Sequence, residues 1–131
     1  MRSTLLGLSA AALLLASPVV AQTVITETAN VTVAQSDAMA SNLVGLDVHN
    51  ANKDGVGEIE DLVLDANMTV KGLVLSVGGF LGVGERYVVV PPKAVTVSFD
   101  STAKEWKAMT GLTKDQLTAM PEFKYEGKFD D

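Results

Sequence analysis

The chain has no cysteine. That excludes disulfides, thiolate metal sites, cysteine nucleophiles and thiol redox chemistry, and leaves stability to the apolar core. Histidine occurs once, at His49, so no multi-histidine metal site can form, and no serine near it has the context of an activated nucleophile. Aromatic residues make up only 5% of the chain, so the single tryptophan, Trp106, reads as packing and not as a stacking platform. Basic residues are also scarce: ten Lys and Arg face sixteen Asp and Glu, for a net charge of −6. Without a basic stripe to neutralise phosphates, nucleic acid and anionic membrane surfaces are poor partners, and the negative excess mainly favours solubility.

What is present begins with a leader. Arg2 is followed by an apolar run from Leu5 to Ala16, and Ser17-Pro-Val-Val-Ala21 supplies small residues at the −3 and −1 positions before Gln22. This is the arrangement of a secretory signal peptide over residues 1–21, with an apolar stretch too short to span a bilayer comfortably. No cysteine follows that run, so a lipoprotein anchor is excluded. Cleavage after Ala21 leaves 110 of the 131 residues and removes one positive charge, Arg2, taking the net charge to −7. The expected location is the periplasm or the medium, with no integral membrane segment in the mature protein.

Residues 22–41 are rich in Thr, Ala and Val and carry few large apolar anchors, which reads as a flexible linker spanning on the order of 25 Å. Val24-Ile25 or Asn30–Val33 pairing on a sheet edge is the alternative. Short β-type runs then follow in close succession: Leu43–Val48, Gly57–Leu64, Val70–Val77, Arg86–Val90, Val95–Phe99 and a short Glu105–Met109. Turn signals separate them, beginning with Asn50-Ala-Asn-Lys-Asp-Gly55, whose Asp-Gly pair favours a hairpin. The Val70–Val77 run is apolar on both faces and must be covered on both sides, and Gly72 within it marks a bend or a close backbone approach. Thr113-x-x-Gln116 has capping-box spacing and opens a short helix that Pro121 ends. Phe123, Tyr125 and Phe129 form a tail placed to clip onto the strands.

Three segments resemble chemical sites. Asn50, Asn52, Asp54, Glu58 and Asp61 stand at positions 1, 3, 5, 9 and 12 of a calcium-loop spacing, with Gly55 at position 6. Asn at two ligand positions, Gly57 at position 8, a short terminal Asp and strand-like flanks favour a plain hairpin turn, leaving calcium as the alternative. Glu58, Glu60, Asp61 and Asp65 gather on one hairpin, where paired carboxylates do acid–base chemistry only if buried at a suitable separation. Glu58 and Glu60 read as a solvated face. Asp61 shares parity with Ile59 and Val63, which points it inward, toward backbone amides. The glycine-rich run Gly78–Gly84 lacks the Lys and Ser/Thr of a phosphate loop and leads into a strand, not a helix, so it reads as a wide β-connection. Phe80 and Leu81 at its tip are the candidate partner-binding residues.

Asp54-Gly-Val-Gly-Glu-Ile-Glu-Asp-Leu-Val-Leu-Asp65, Val70-Lys-Gly-Leu-Val-Leu-Ser-Val-Gly-Gly-Phe-Leu-Gly-Val-Gly84 and Val88-Val-Val-Pro-Pro92, taken in this order, resemble the PRC-barrel domain. The barrel is similar to the cytoplasmic domain of the photosynthetic reaction centre H subunit and to the C-terminal domain of a ribosome maturation factor. Leu112–Tyr125 resembles the extension of exported alphaproteobacterial members. The resemblance implies a mainly β fold, a small antiparallel β-barrel over residues 42–100, followed by a C-terminal extension with a short helix over 101–131. It implies a protein-interaction or assembly role and brings no catalytic residues and no cofactor. The expectation is a non-enzymatic, exported scaffold or binding module of the cell envelope. Its partner is an unidentified protein, with homodimerisation open, and calcium binding through Asn50–Asp61 is the alternative.

Overall fold

A computed structural model describes residues 30–78 and 84–130. The leader, the Val24-Ile25 edge candidate and the Phe80-Leu81 tip therefore lie outside the described residues. The chain divides into two units, 1–32 and 33–131, and the second holds every helix and strand described below.

The order of elements is α1 (Ala40–Leu43), β1 (Asp47–His49), β2 (Gly55–Leu64), β3 (Val70–Val77), β4 (Arg86–Val90), a 3₁₀ turn (Pro92–Ala94), β5 (Val95–Asp100), β6 (Glu105–Thr110), α2 (Lys114–Ala119) and a last 3₁₀ turn (Gly127–Phe129). The described part of the expected linker, 30–39, contains no strand, and α1 begins at its end. The expected strand Leu43–Val48 is mostly something else. Leu43 closes a single helical turn, Gly45 takes a left-handed φ of +89°, and the strand proper begins at Asp47, although Gly45 and Leu46 already exchange backbone hydrogen bonds with Ile59 of β2. Leu43 and Leu46 both pack on the core.

The six strands form one mixed sheet in the order β4-β3-β2-β1-β6-β5. Strands β1 to β4 are a meander of antiparallel pairs, and β5 and β6 form a hairpin. That hairpin docks through β6 parallel to β1, so the sheet is mixed and not closed by pairing, where a small antiparallel barrel was expected. β4 and β5 are thus opposite edges of the hydrogen-bonded sheet yet neighbours in sequence. The link from Val90 to Val95 reaches at most about 18 Å, whereas the edges of a flat six-stranded sheet lie about 24 Å apart. The sheet must therefore curl, bringing its edges toward each other without pairing them.

The inner face of the curl is aliphatic. Val48, Ile59, Leu75, Val77, Val88 and Val90 are fully buried, and Leu117 of α2 closes one side. Gly57 and Gly72 are required by close approach. A Cβ on Gly57 would stand 2.5 Å from the Ser76 carbonyl oxygen, and one on Gly72 would stand 2.8 Å from a Val89 methyl. β3 has Val74 buried on its other face as well, as its two apolar faces demand. The second cover is the C-terminal tail. The Phe123 amide donates to the Tyr87 carbonyl oxygen (2.7 Å), and Tyr125 reaches Asp61 on β2 and the Tyr87 ring on β4. Asp61 and Tyr87 sit opposite Val74 and Ser76, so Tyr125 lies across β3.

α2 is held as its sequence requires. The Thr113 hydroxyl accepts from the Gln116 amide (3.1 Å) and the Gln116 side chain accepts from the Thr113 amide (2.9 Å). At its other end the Arg86 guanidinium donates to the carbonyl oxygens of Thr118 (2.8 Å) and Met120 (3.1 Å), two acceptors the last helical turn leaves free.

Candidate functional site

The parallel seam between β1 and β6 builds the larger described cavity. Val48 stands opposite Ala108 in the core, and His49 opposite Met109. A groove of about 570 Å³ runs beside this seam. Leu46, Trp106, Ala108 and Met109 supply its apolar lining, and Asp47, His49, Lys53, Glu105 and Lys107 its polar one. Met109 is 45% exposed, a large apolar side chain left toward water. Trp106 packs edge-on against Phe99, with ring centroids 5.3 Å apart, so it serves both packing and the groove lining.

Lys107 is fixed at this groove by Asp100 at 2.9 Å, with Glu105 at 3.9 Å. The hydrogen bond from Lys107 and the amides of Ala103 and Thr102 hold the Asp100 carboxyl down at about 2, and the same bond raises Lys107. Both side chains lie at the surface, Lys107 exposed and Asp100 partly so, and solvent screens the pair, which orients a side chain without adding appreciable stability. The groove rim consequently carries both signs in fixed places, and its floor is apolar. Such a surface suits a polypeptide better than a phosphate or a bare cation.

The residues of the calcium-loop spacing are dispersed. Asn50 Oδ1 accepts from the amides of Asn52 (2.9 Å) and Asp54 (3.0 Å), closing a hairpin turn with its own side chain. The left-handed residue of that turn is Lys53 (φ 65°), not Gly55, which is already the first residue of β2. Glu58 and Asp61 lie along β2, Asp61 on the order of 20 Å of extended chain beyond Asp54. Among the described residues no group of three or more His, Asp or Glu side chains is placed to hold a metal ion.

The carboxylates of β2 have different surroundings, and both Glu60 and Asp61 act on Tyr125. Glu58 faces Ser76 and Asp47 across its two neighbouring strands, and lines a second cavity of about 350 Å³ with Glu85, His49 and Lys114. Glu60 is the extra residue of a β-bulge, because Ile59 pairs with Leu75 and Asp61 with the next residue, Val74. The bulge flips the alternation, so Asp61, expected to point inward, is exposed. It accepts from the Leu62 amide (2.8 Å) and from the Tyr125 hydroxyl (3.3 Å). Burial, the Asp61 charge and the hydrogen bond to it push the Tyr125 hydroxyl up to about 12.

The tip residues Phe80 and Leu81 lie outside the described residues, but the base of their loop is described. Gly78 and Gly84 have φ of +94° and +77°, and a Cβ on Gly78 would stand 3.1 Å from the Gly84 carbonyl oxygen. Left-handed glycines at both ends thus pinch the connection. The β1–β6 groove itself escaped sequence reasoning, since strands separated by more than fifty residues carry no local sign of parallel pairing.

A six-stranded curled sheet entered by one helical turn and closed at one side by a helix defines the architecture, and the family comparison agrees with it. The model of the PRC-barrel domain matches residues 37–106, just over half of the chain. This chain belongs to the PRC-barrel domain family. No curated protein matches it. The match runs from before α1 into the start of β6, so the rest of β6, α2 and the tail lie beyond it. Both cavities are built mainly from matched residues, whereas the second cover of β3 is not.

Proposed function

We propose that this PRC-barrel protein is a non-enzymatic protein-interaction or scaffold module of the cell envelope, exported by its leader and acting outside the cytoplasm. Its curled sheet works as a small barrel whose unpaired edges are held near each other by the Pro91–Ala94 link. One observation carries the reading: the β1–β6 groove combines exposed Met109 and half-buried Trp106 with fixed charges of both signs. Apolar anchors within a mixed polar rim are the anatomy of a protein interface. The Phe80-Leu81 pair is the second contact, on the sequence alone, as two large apolar residues within a glycine-rich connection.

Site-specific photo-crosslinking in intact cells tests this. Crosslinkers at Met109 and Leu81 are expected to capture the same protein, and one at Lys128 is not. Equal capture at all three positions, or none at either proposed contact, refutes the surface assignment.

A further inference from the structure

The two edges of the sheet are treated differently. On β4, the Tyr87 carbonyl oxygen is taken by the Phe123 amide, the Arg86 side chain is held by the end of α2, and Pro91 follows at once. These features block strand addition. On β5, among the described residues, the only strand partner is β6, and the one other backbone hydrogen bond of the strand is at its first residue, where the Val95 amide donates to the Pro92 carbonyl oxygen. β5 reads Val-Thr-Val-Ser-Phe-Asp, with no proline, no lysine and no bulge in its register with β6. Thr96, Ser98 and Phe99 are exposed, Phe99 at 49%. A regular, apolar-alternating edge of six residues with a single charge at its end is the kind of strand that recruits another strand.

We infer that β5 is a self-association edge, and that its occupant is β5 of a second copy of this chain, paired antiparallel about a twofold axis at Val97. Charge argues for the copy. The chain is acidic at −6, so two copies repel over most of their surface, yet β5 carries only Asp100, already neutralised by Lys107. The strand is also self-complementary. With Val97 opposite Val97 of the copy, Val95 meets Phe99 and Thr96 meets Ser98. Apolar side chains then face apolar ones on the core side, hydroxyls face hydroxyls on the other, and no like charges are opposed. β5 lines no part of the groove, and is joined to it only through Phe99 on Trp106 and Asp100 on Lys107.

Sedimentation equilibrium of the chain as recovered from cells tests it, over micromolar to millimolar concentration. A monomer–dimer equilibrium is expected, weakened at least about tenfold by the double substitution Thr96→Lys/Ser98→Lys, which puts lysine opposite lysine at exposed positions. Mixing that variant with Thr96→Glu/Ser98→Glu is expected to restore a heterodimer, because positions 96 and 98 face each other. A wild-type chain that stays monomeric to millimolar concentration overturns the inference, as does a dimer indifferent to the lysine pair in a variant with unchanged circular dichroism. Should the variants fail to fold, hydrogen exchange on the wild type decides. Amides 95–100 must gain protection as concentration rises, and a dimer that leaves them unprotected places the interface elsewhere.

Discussion

Among the described residues, three other than glycine sit in the left-handed region, Lys53, Met68 and Lys104, each within a β-hairpin turn. The first two turns are built alike. Asn50 and Asp65 each accept from the amides two and four residues on, at 2.8–3.0 Å, across Asn-Ala-Asn-Lys-Asp and Asp-Ala-Asn-Met-Thr. The side-chain oxygen fixes the turn and forces the fourth residue left-handed whatever it is, at about 1 kcal/mol. Met68 is 74% exposed and packs on little, so Met68→Gly should stabilise the fold by about 0.5–1 kcal/mol in urea denaturation. No gain would mean that Met68 makes contacts offsetting its strain. Tyr125 provides a second test. Its hydroxyl is raised from 10.0 to about 12, so the folded state favours the neutral phenol, and the stability linked to it is complete below pH 10 and lost as pH rises through 12. Ultraviolet titration should therefore show one of the two tyrosines ionising near 12, and Asp61→Asn should lower it, because that change removes the second-largest cause.

Among the elements, β2 and β3 depend on each other most closely. They share two register irregularities, and Gly57 lies directly against the Ser76 carbonyl of β3. Gly57→Ala should force these two backbones apart and cost at least about 2 kcal/mol, with β2–β3 amides exchanging fastest in hydrogen exchange. A neutral effect would mean that the pair tolerates a wider separation. α2 acts through one side chain. Leu117 is fully buried while the rest of the helix is largely exposed, so Leu117→Ala should destabilise by about 2–5 kcal/mol in thermal or urea unfolding. Exposed Thr118→Ala is the control and should cost under about 1 kcal/mol. The strands β3 and β4 and the helix cap were legible from the sequence because period, turn residues and capping spacing are local. The bulge at Glu60 was not, because the extra residue is defined by β3, its partner.

For the whole molecule, the expected signal peptide over residues 1–21 sets the first test. Mass spectrometry of the protein recovered from the periplasm or medium should find Gln22 as its first residue, and an intact Met1 in an exported fraction would show that the apolar run remains as an anchor. The groove is a property at this scale too, since it joins Leu46 and His49 to Trp106 and Met109 from the far end of the fold. So is the tail, which covers β3 from outside the region that the family match spans.

By itself the sequence determined most strand positions, the close approach at Gly72, the capped helix and the family, because each rests on neighbours along the chain or on motifs in order. Tertiary structure alone decided four matters. It paired β6 parallel to β1 where an antiparallel barrel was expected. It turned Asp61 outward through a bulge that its partner strand defines. It placed Tyr125 across β3, and it left the outer edge of β5 without a strand partner among the described residues. Each depends on contacts between segments tens of residues apart, where local propensity is silent and the closing of a common core selects the pairing.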